Sequence, residues 1–347
     1  MRQSFRWPWV EVSCLLALSW LAPAPAHTAP SRSQDLAPSS TAPVALRDGV
    51  IVDAARGVAY VMNRGGGVDA LRTSDGSTIW SSPEAARPLL VRGDLLVAQA
   101  EAKAAGELPV LTLDRASGRT LSRAAVALPA SLFASVKDGP RSSFRVSASA
   151  LDGGVLVRWE ARRAGKGNEL QGYVPSPDEG RAPETAAAPL HARAAGELLQ
   201  GSAVLDPRAG TVRLQAKTAV AAAPMAVAVL RTFSGLREVS GRKFLSADGR
   251  HVLVSEAVEP RQVFERYRWS IYTRGGDLVG ELASHRSAAP FVVAGSRLLF
   301  ESRPYGVRSG DEMVERPLQL RAFDLASGGE AWAQTLRQVE FGGPFPP

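Results

Sequence analysis

The chain has 347 residues, 45% of them hydrophobic, a single cysteine and a formal net charge of +7. A chain of this length can build an ordinary hydrophobic core, and one cysteine excludes a disulfide framework. The basic residues are spread along the sequence, with Arg158, Arg162, Arg163 and Lys166 as the nearest thing to a cluster, so nucleic acid is not an expected partner.

The first segment has the pattern of an export signal. Arg2 and Arg6 precede an apolar stretch from Val12 to Leu21, and Ala24-Pro25-Ala26 provides small residues at a cleavage site. A membrane-spanning helix needs about 20 apolar residues, and this stretch is shorter. Residues 1–26 are therefore read as a signal peptide, with His27 as the mature amino terminus; an uncleaved anchor is the alternative. A lipoprotein signal fits poorly, because most of the apolar stretch follows Cys14. Residues 27–43, rich in Ser, Pro and Ala, read as a disordered linker, residues 44–340 as one domain and residues 341–347 as a flexible tail. The expected location is periplasmic or extracellular. The mature chain is expected to be a monomer and not an integral membrane protein.

Beyond the linker, short apolar runs alternate with turns rich in Gly, Asp and Ser, and helical periodicity is almost absent. Val50-Ile51-Val52 turns through Asp53–Gly57 into Val58–Val61, and Val68–Leu71 turns at Gly76 into Thr78-Ile79-Trp80. The same pairing of two turns recurs with Gly93 and Gly118, then with Gly153 and Gly180. It continues with Gly210 and Gly235, Gly249 and Gly276, and Gly295 and Gly328. The second-turn glycines are thus Gly76, Gly118, Gly180, Gly235, Gly276 and Gly328, each expected to supply the positive φ that a tight turn needs. Such repetition predicts an all-β propeller of four-stranded antiparallel blades. Six repeats are countable, and a seventh exists if a degenerate unit hides between residues 119 and 145. Eight would be needed for a quinoprotein of full size. Segments 101–109 and 301–317 interrupt their repeats between the second and third strands.

Two repeats match closely. Ala70-Leu71-Arg72-Thr73-Ser74-Asp75-Gly76 and Ala322-Phe323-Asp324-Leu325-Ala326-Ser327-Gly328 each have a tryptophan four residues past the glycine, Trp80 and Trp332. With Tyr60-Val61 and Gly67-Val68 they make the chain resemble the pyrroloquinoline-quinone-type propeller repeat family. The resemblance is strong in the first and last repeats, fair in the second and fourth, where Ser122 and Val239 replace the tryptophan, and weak in the others. It implies a fold. The family includes quinone-dependent dehydrogenases and non-enzymatic scaffolds, among them the outer-membrane assembly propeller of the bacterial envelope, and fold alone does not choose between them.

No catalytic constellation is evident. His27, His191, His251 and His285 fall in separate regions, without metal-ligand spacing. There is no Gly-x-Ser-x-Gly elbow. Gly65-Gly66-Gly67 lies between strands, with no helix behind it to hold phosphate. Asp311, Glu312 and Glu315 are flanked by Arg308 and Arg316 and read as a solvated loop. Quinone enzymes of the family resemble eight-bladed propellers with a calcium site and often a vicinal cysteine pair, which the mature chain lacks, so neither pyrroloquinoline quinone nor a metal is expected. Trp80 and Trp332 are read as packing between blades, and Arg303, Tyr305, Arg308 and Arg316 as a candidate partner surface.

The expected function is a non-enzymatic, protein-binding or envelope-assembly scaffold, whose partner is an envelope protein or a cell-surface polymer. The alternatives are an enzyme using the central channel, such as a quinone-dependent dehydrogenase, and a carbohydrate- or cell-wall-binding module.

Overall fold

The computed structural model describes residues 42–47, 49–101, 106–129, 143–162, 198–215, 223–246, 249–258, 266–284, 286–302, 305–309 and 312–337. The expectations for the signal peptide, for nearly all of the linker, for the tail, and for Gly180, His285 and Arg303 lie outside these residues. Every regular element among the described residues is a strand.

Five antiparallel sheets follow one another along the chain. The first contains β1 (Val44–Arg47), β2 (Val50–Asp53), β3 (Val58–Met62), β4 (Val68–Arg72) and β5 (Thr78–Ser82). The second is β6 (Ala85–Arg92), β7 (Leu95–Ala100), β8 (Glu107–Asp114) and β9 (Thr120–Ala127), and the third is β10 (Ser143–Leu151), β11 (Gly154–Arg162), β12 (Leu198–Asp206) and β13 (Thr211–Gln215). Three two-residue strands come next: β14 (Ala223–Pro224), β15 (Ala226–Val227) and β16 (Arg231–Thr232). The fourth sheet consists of β16 with β17 (Arg242–Leu245), β18 (His251–Ala257), β19 (Tyr267–Thr273) and β20 (Leu278–Ser284). The fifth begins with β21 (Phe291–Ala294) and β22 (Arg297–Ser302). A hairpin of β23 (Tyr305–Ser309) and β24 (Glu312–Arg316) interrupts it before β25 (Gln319–Asp324) and β26 (Gly329–Thr335) complete it.

The alternation of side chains along each strand explains why the sheets pack face to face. In β2, Val50 and Val52 enter a core shared with the fifth sheet, and Ile51 enters a core shared with the second. In β7, Leu96 and Ala98 face the first sheet, while Val97 faces the third. In β22, Leu298 and Phe300 face the fourth sheet and Leu299 faces the first. Sheets buried on both faces read as continuous apolar runs, as Val50-Ile51-Val52 does. The spatial order is therefore fourth, fifth, first, second, third, so the last sheet in sequence packs on the first. This is the radial packing of propeller blades.

Among the described residues there are five such sheets, where the sequence suggests six repeats. The difference arises between residues 152 and 235. The Asp206–Gly210 turn, expected to open a fourth repeat, joins β12 to β13 and closes the third sheet. Gly235 is not among the glycines of positive φ. It lies between β16 and β17, where Phe233 packs on it. Leu230-Arg231-Thr232 repeats the letters of Leu71-Arg72-Thr73, but β16 is an edge strand that precedes the fourth sheet's hairpins.

Segment 223–232 links the edges of three sheets. Ala223 and Pro224 pair with β10, Ala226 and Val227 pair in parallel with β1, and Arg231 and Thr232 pair with β17. Ten extended residues span at most about 36 Å, so the inner edges of three sheets must converge. Ala228 donates its amide to the Ala45 carbonyl at 2.8 Å and is buried in the core between the first and fifth sheets. Met225 packs against the two cores that flank the second sheet, and Leu230 against the core between the fourth and fifth.

Strand order also sorts the connections. In each four-strand meander the first and third turns lie at one end, and the link between the second and third strands lies at the other. Hairpin β23–β24 is one such link, so it projects from the end opposite the tight glycine turns.

Candidate functional site

Four of the tight turns share one geometry. The amides of Gly76, Gly118, Gly210 and Gly328 donate to the carbonyls of Arg72, Asp114, Asp206 and Asp324 at 2.8–2.9 Å, and all four glycines have φ between 68° and 74°. The carbonyl three residues before the glycine then points to the preceding blade. Trp80 Nε1 donates to the Arg115 carbonyl at 3.1 Å, and Trp332 Nε1 to the Thr73 carbonyl at 3.0 Å. Ser122 Oγ donates to the Pro207 carbonyl at 2.6 Å. Each donor stands four residues past the turn glycine of its own blade.

The indole rings cover the glycines. A Cβ on Gly118 would lie 2.4 Å from Trp80 Cε3, and one on Gly76 would lie 2.8 Å from Trp332 Cδ2. Between the fourth and fifth sheets the equivalent residue is Gly280, and there the backbones themselves touch. A Cβ on Gly280 would lie 2.4 Å from the Gly328 Cα. Gly280→Ala is accordingly expected to push these two sheets apart at a cost of about 1–3 kcal/mol, seen as a lowered midpoint in chemical denaturation.

The turn carboxylates organise the turns. Asp114 Oδ1 accepts from the Ser117 hydroxyl and amide at 2.6 and 2.8 Å, and Asp206 Oδ1 from the amides of Arg208 and Ala209 at 2.9 and 3.0 Å. Asp324 accepts from Ala326 N, and Asp75 from Ser77. These bonds hold the carboxyls of Asp75, Asp114, Asp206 and Asp324 below the usual carboxylate range. Because the folded values are the lower ones, the unfolded chain takes up protons first as pH falls. The contribution to stability is complete above the unfolded values near pH 4 and disappears as pH drops through the folded ones. The thermal midpoint is expected to decline on acidification below about pH 4, and Asp114→Asn should make that decline shallower.

The junction of the first and second sheets departs from this pattern. Arg115 lies within a tight turn yet is buried, and its guanidinium forms an ion pair with buried Asp53. Arg115 Nε donates to Tyr60 Oη at 2.8 Å, and Nη1 to the Gly93 carbonyl at 2.7 Å. Tyr60 and Trp80 are in ring contact, with centroids 5.8 Å apart. Burial pushes the Tyr60 phenol well above its ordinary value, with Arg56 pulling the other way. A pocket of about 330 Å³ opens beside this cluster, lined by Arg56, Val58, Tyr60, Ile79, Trp80, Arg115 and Ala116. Sequence reasoning missed Arg115, Asp53 and Tyr60 as a unit.

The remaining expected site residues are scattered. Tyr305, Arg308 and Arg316 lie on hairpin β23–β24, where Tyr305 pairs with Arg316 and Arg308 with Met313. Gly276 has a positive φ of 106° and closes the β19–β20 turn. His251 opens β18; no group of three or more His, Cys, Asp or Glu suited to a metal exists among the described residues. No helix among them is long and apolar enough to cross a membrane.

No protein-family model matches the chain, and no curated protein matches it. Among solved structures it is similar to BamB from Moraxella catarrhalis, at 15% identity over 87% of this chain and 76% of that one, with a TM-score of 0.26. The Dos1 propeller aligns at 12% identity over 82% and 57%, with a TM-score of 0.25. A europium-containing methanol dehydrogenase aligns at 14% over 81% and 67%, with a TM-score of 0.21. At these identities and scores the likenesses say nothing about function, and the fold rests on the sheets themselves.

Proposed function

We propose that the chain is an exported, non-enzymatic β-propeller that serves as a protein-binding scaffold in a bacterial envelope. One observation carries this reading. Segment 223–232 pairs with edge strands of three sheets, and on this reading it lies across the place where a channel enzyme would hold cofactor and substrate. What is left for recognition is the outer surface, and loops presented by a rigid scaffold are suited to it. Hairpin β23–β24, with Tyr305, Arg308 and Arg316, is the candidate contact, since Tyr and Arg are enriched where binding energy concentrates. Export rests on the basic start, apolar stretch and Ala24-Pro25-Ala26 of the sequence.

The test is cross-linked capture from envelope fractions. The bait is the purified protein beside a variant whose residues 305–316 are replaced by a short Gly-Ser turn. The expected result is an envelope protein retained by the parent and lost by the variant. Retention by both would move the contact elsewhere on the molecule. Quinone-dependent dye reduction by the protein supplied with pyrroloquinoline quinone would overturn the non-enzymatic reading.

A further inference from the structure

The junction of the first and second sheets holds more than docking requires. Tyr60 pairs with Ala70, and the residues at its repeat position are Val97 opposite Thr112, Leu156 opposite Val204 and Leu299 opposite Ala322. The repeat position of Arg115 holds Thr73, Pro207, Thr273 and Leu325 in the other sheets. The tryptophan and serine docks therefore form without a buried cation. A buried ion pair adds little to stability compared with apolar packing of similar volume. The cluster of Arg115, Asp53 and Tyr60 calls for another role.

The pocket beside the cluster suggests one. Its volume of about 330 Å³ suits a small organic molecule. One wall is apolar, formed by Val58, Ile79 and the Trp80 ring. Ile79 is 41% exposed, a large apolar side chain left open at the mouth. The charges are one-sided, since two arginines and no carboxylate line the pocket. Arg115 is committed to Asp53, Tyr60 and Gly93. The Arg56 guanidinium is exposed and has no partner among the described residues. It stands close enough to lower the proton affinity of the Tyr60 phenol.

We propose that this pocket binds a small organic anion with a flat apolar body, its acid group on Arg56 and its body against Ile79 and Trp80. A guanidinium pairs with a carboxylate through two parallel hydrogen bonds, and an indole edge and an isoleucine side chain accept an aromatic ring. Arg115, neutralised by Asp53, fixes the wall of the pocket and leaves Arg56 as its uncompensated cation.

Calorimetric titration of the purified protein with naphthalene-2-carboxylate, and in parallel with the neutral naphthalene-2-carboxamide, tests the site. Saturable binding of the carboxylate is expected, with the carboxamide about tenfold weaker, the equivalent of one charge-assisted contact. Arg56→Gln should weaken the carboxylate about tenfold, leave the carboxamide unchanged and leave the thermal midpoint unchanged. Ile79→Asp should weaken both ligands. Absence of saturation by the carboxylate, equal binding of the two ligands, or indifference to Arg56→Gln would each overturn the proposal. None of these outcomes bears on the scaffold reading, whose test uses a different end of the blades.

Discussion

Trp80→Ala is expected to destabilise the protein by about 3–5 kcal/mol, the range for a large aromatic removed from a core. Trp80 is 9% exposed. It covers Gly118, contacts Tyr60 and donates to the Arg115 carbonyl at 3.1 Å. Alanine leaves a cavity between two sheets and an unsatisfied carbonyl at its edge. Trp332→Ala acts at the equivalent place between the fifth and first sheets, but its ring is only half-buried, so a smaller loss is expected. Chemical denaturation of both variants beside the parent measures the ordering. Equal, small losses would show that the indoles do not hold the blades together. The naphthalene ligand separates packing from binding further. Trp80→Ala removes a wall of its pocket and should weaken it, whereas Trp332→Ala should not.

The docking scheme was legible in part. The glycine-plus-four position of Trp80 and Trp332 is visible as a repeat because each blade uses the same turn to receive its neighbour. Ser122 and Gly280 occupy the same position and carry no such signal, because a hydroxyl and a bare backbone meet the next turn without an aromatic ring. The boundary between the third and fourth repeats was less legible. In the third sheet the link between β11 and β12 exceeds 30 residues, and the turns on either side of it read as belonging to two repeats. The path of segment 223–232 has no sequence signature either. Its strands are two residues long, and pairing with three separate edges is a property of the assembled sheets. Arg115 was hidden for a related reason. In Asp114–Gly118 an arginine reads as a solvated turn residue, and only the neighbouring blade, with Asp53 and Tyr60, makes it a buried one.

Arg115→Met is expected to have an effect as large as Trp80→Ala, by a different route. The guanidinium side chain is 6% exposed and the Asp53 carboxylate 2% exposed. Removing the cation leaves the carboxylate buried beside apolar side chains, with only the Arg56 amide at 3.3 Å still donating to it. Losing one member of such a pair costs about 3–5 kcal/mol. The variant has a recognisable pH signature. Without Arg115, the buried Asp53 carboxyl is expected to rise above the ordinary carboxylate range. Its folded value then exceeds its unfolded one, so acidification through that range restores stability to the variant where the parent gains none. Asp53→Asn in the same background removes the stranded charge and should recover part of the loss. The thermal midpoints of the parent, Arg115→Met and the double variant, measured from pH 7 down to about pH 5, distinguish this account from one in which Arg115 contributes only bulk. If only bulk mattered, the double variant would be no more stable than the single one at any pH. Recovery would mean that the Arg115–Asp53 pair is held by its charges and not by the bulk of the arginine side chain.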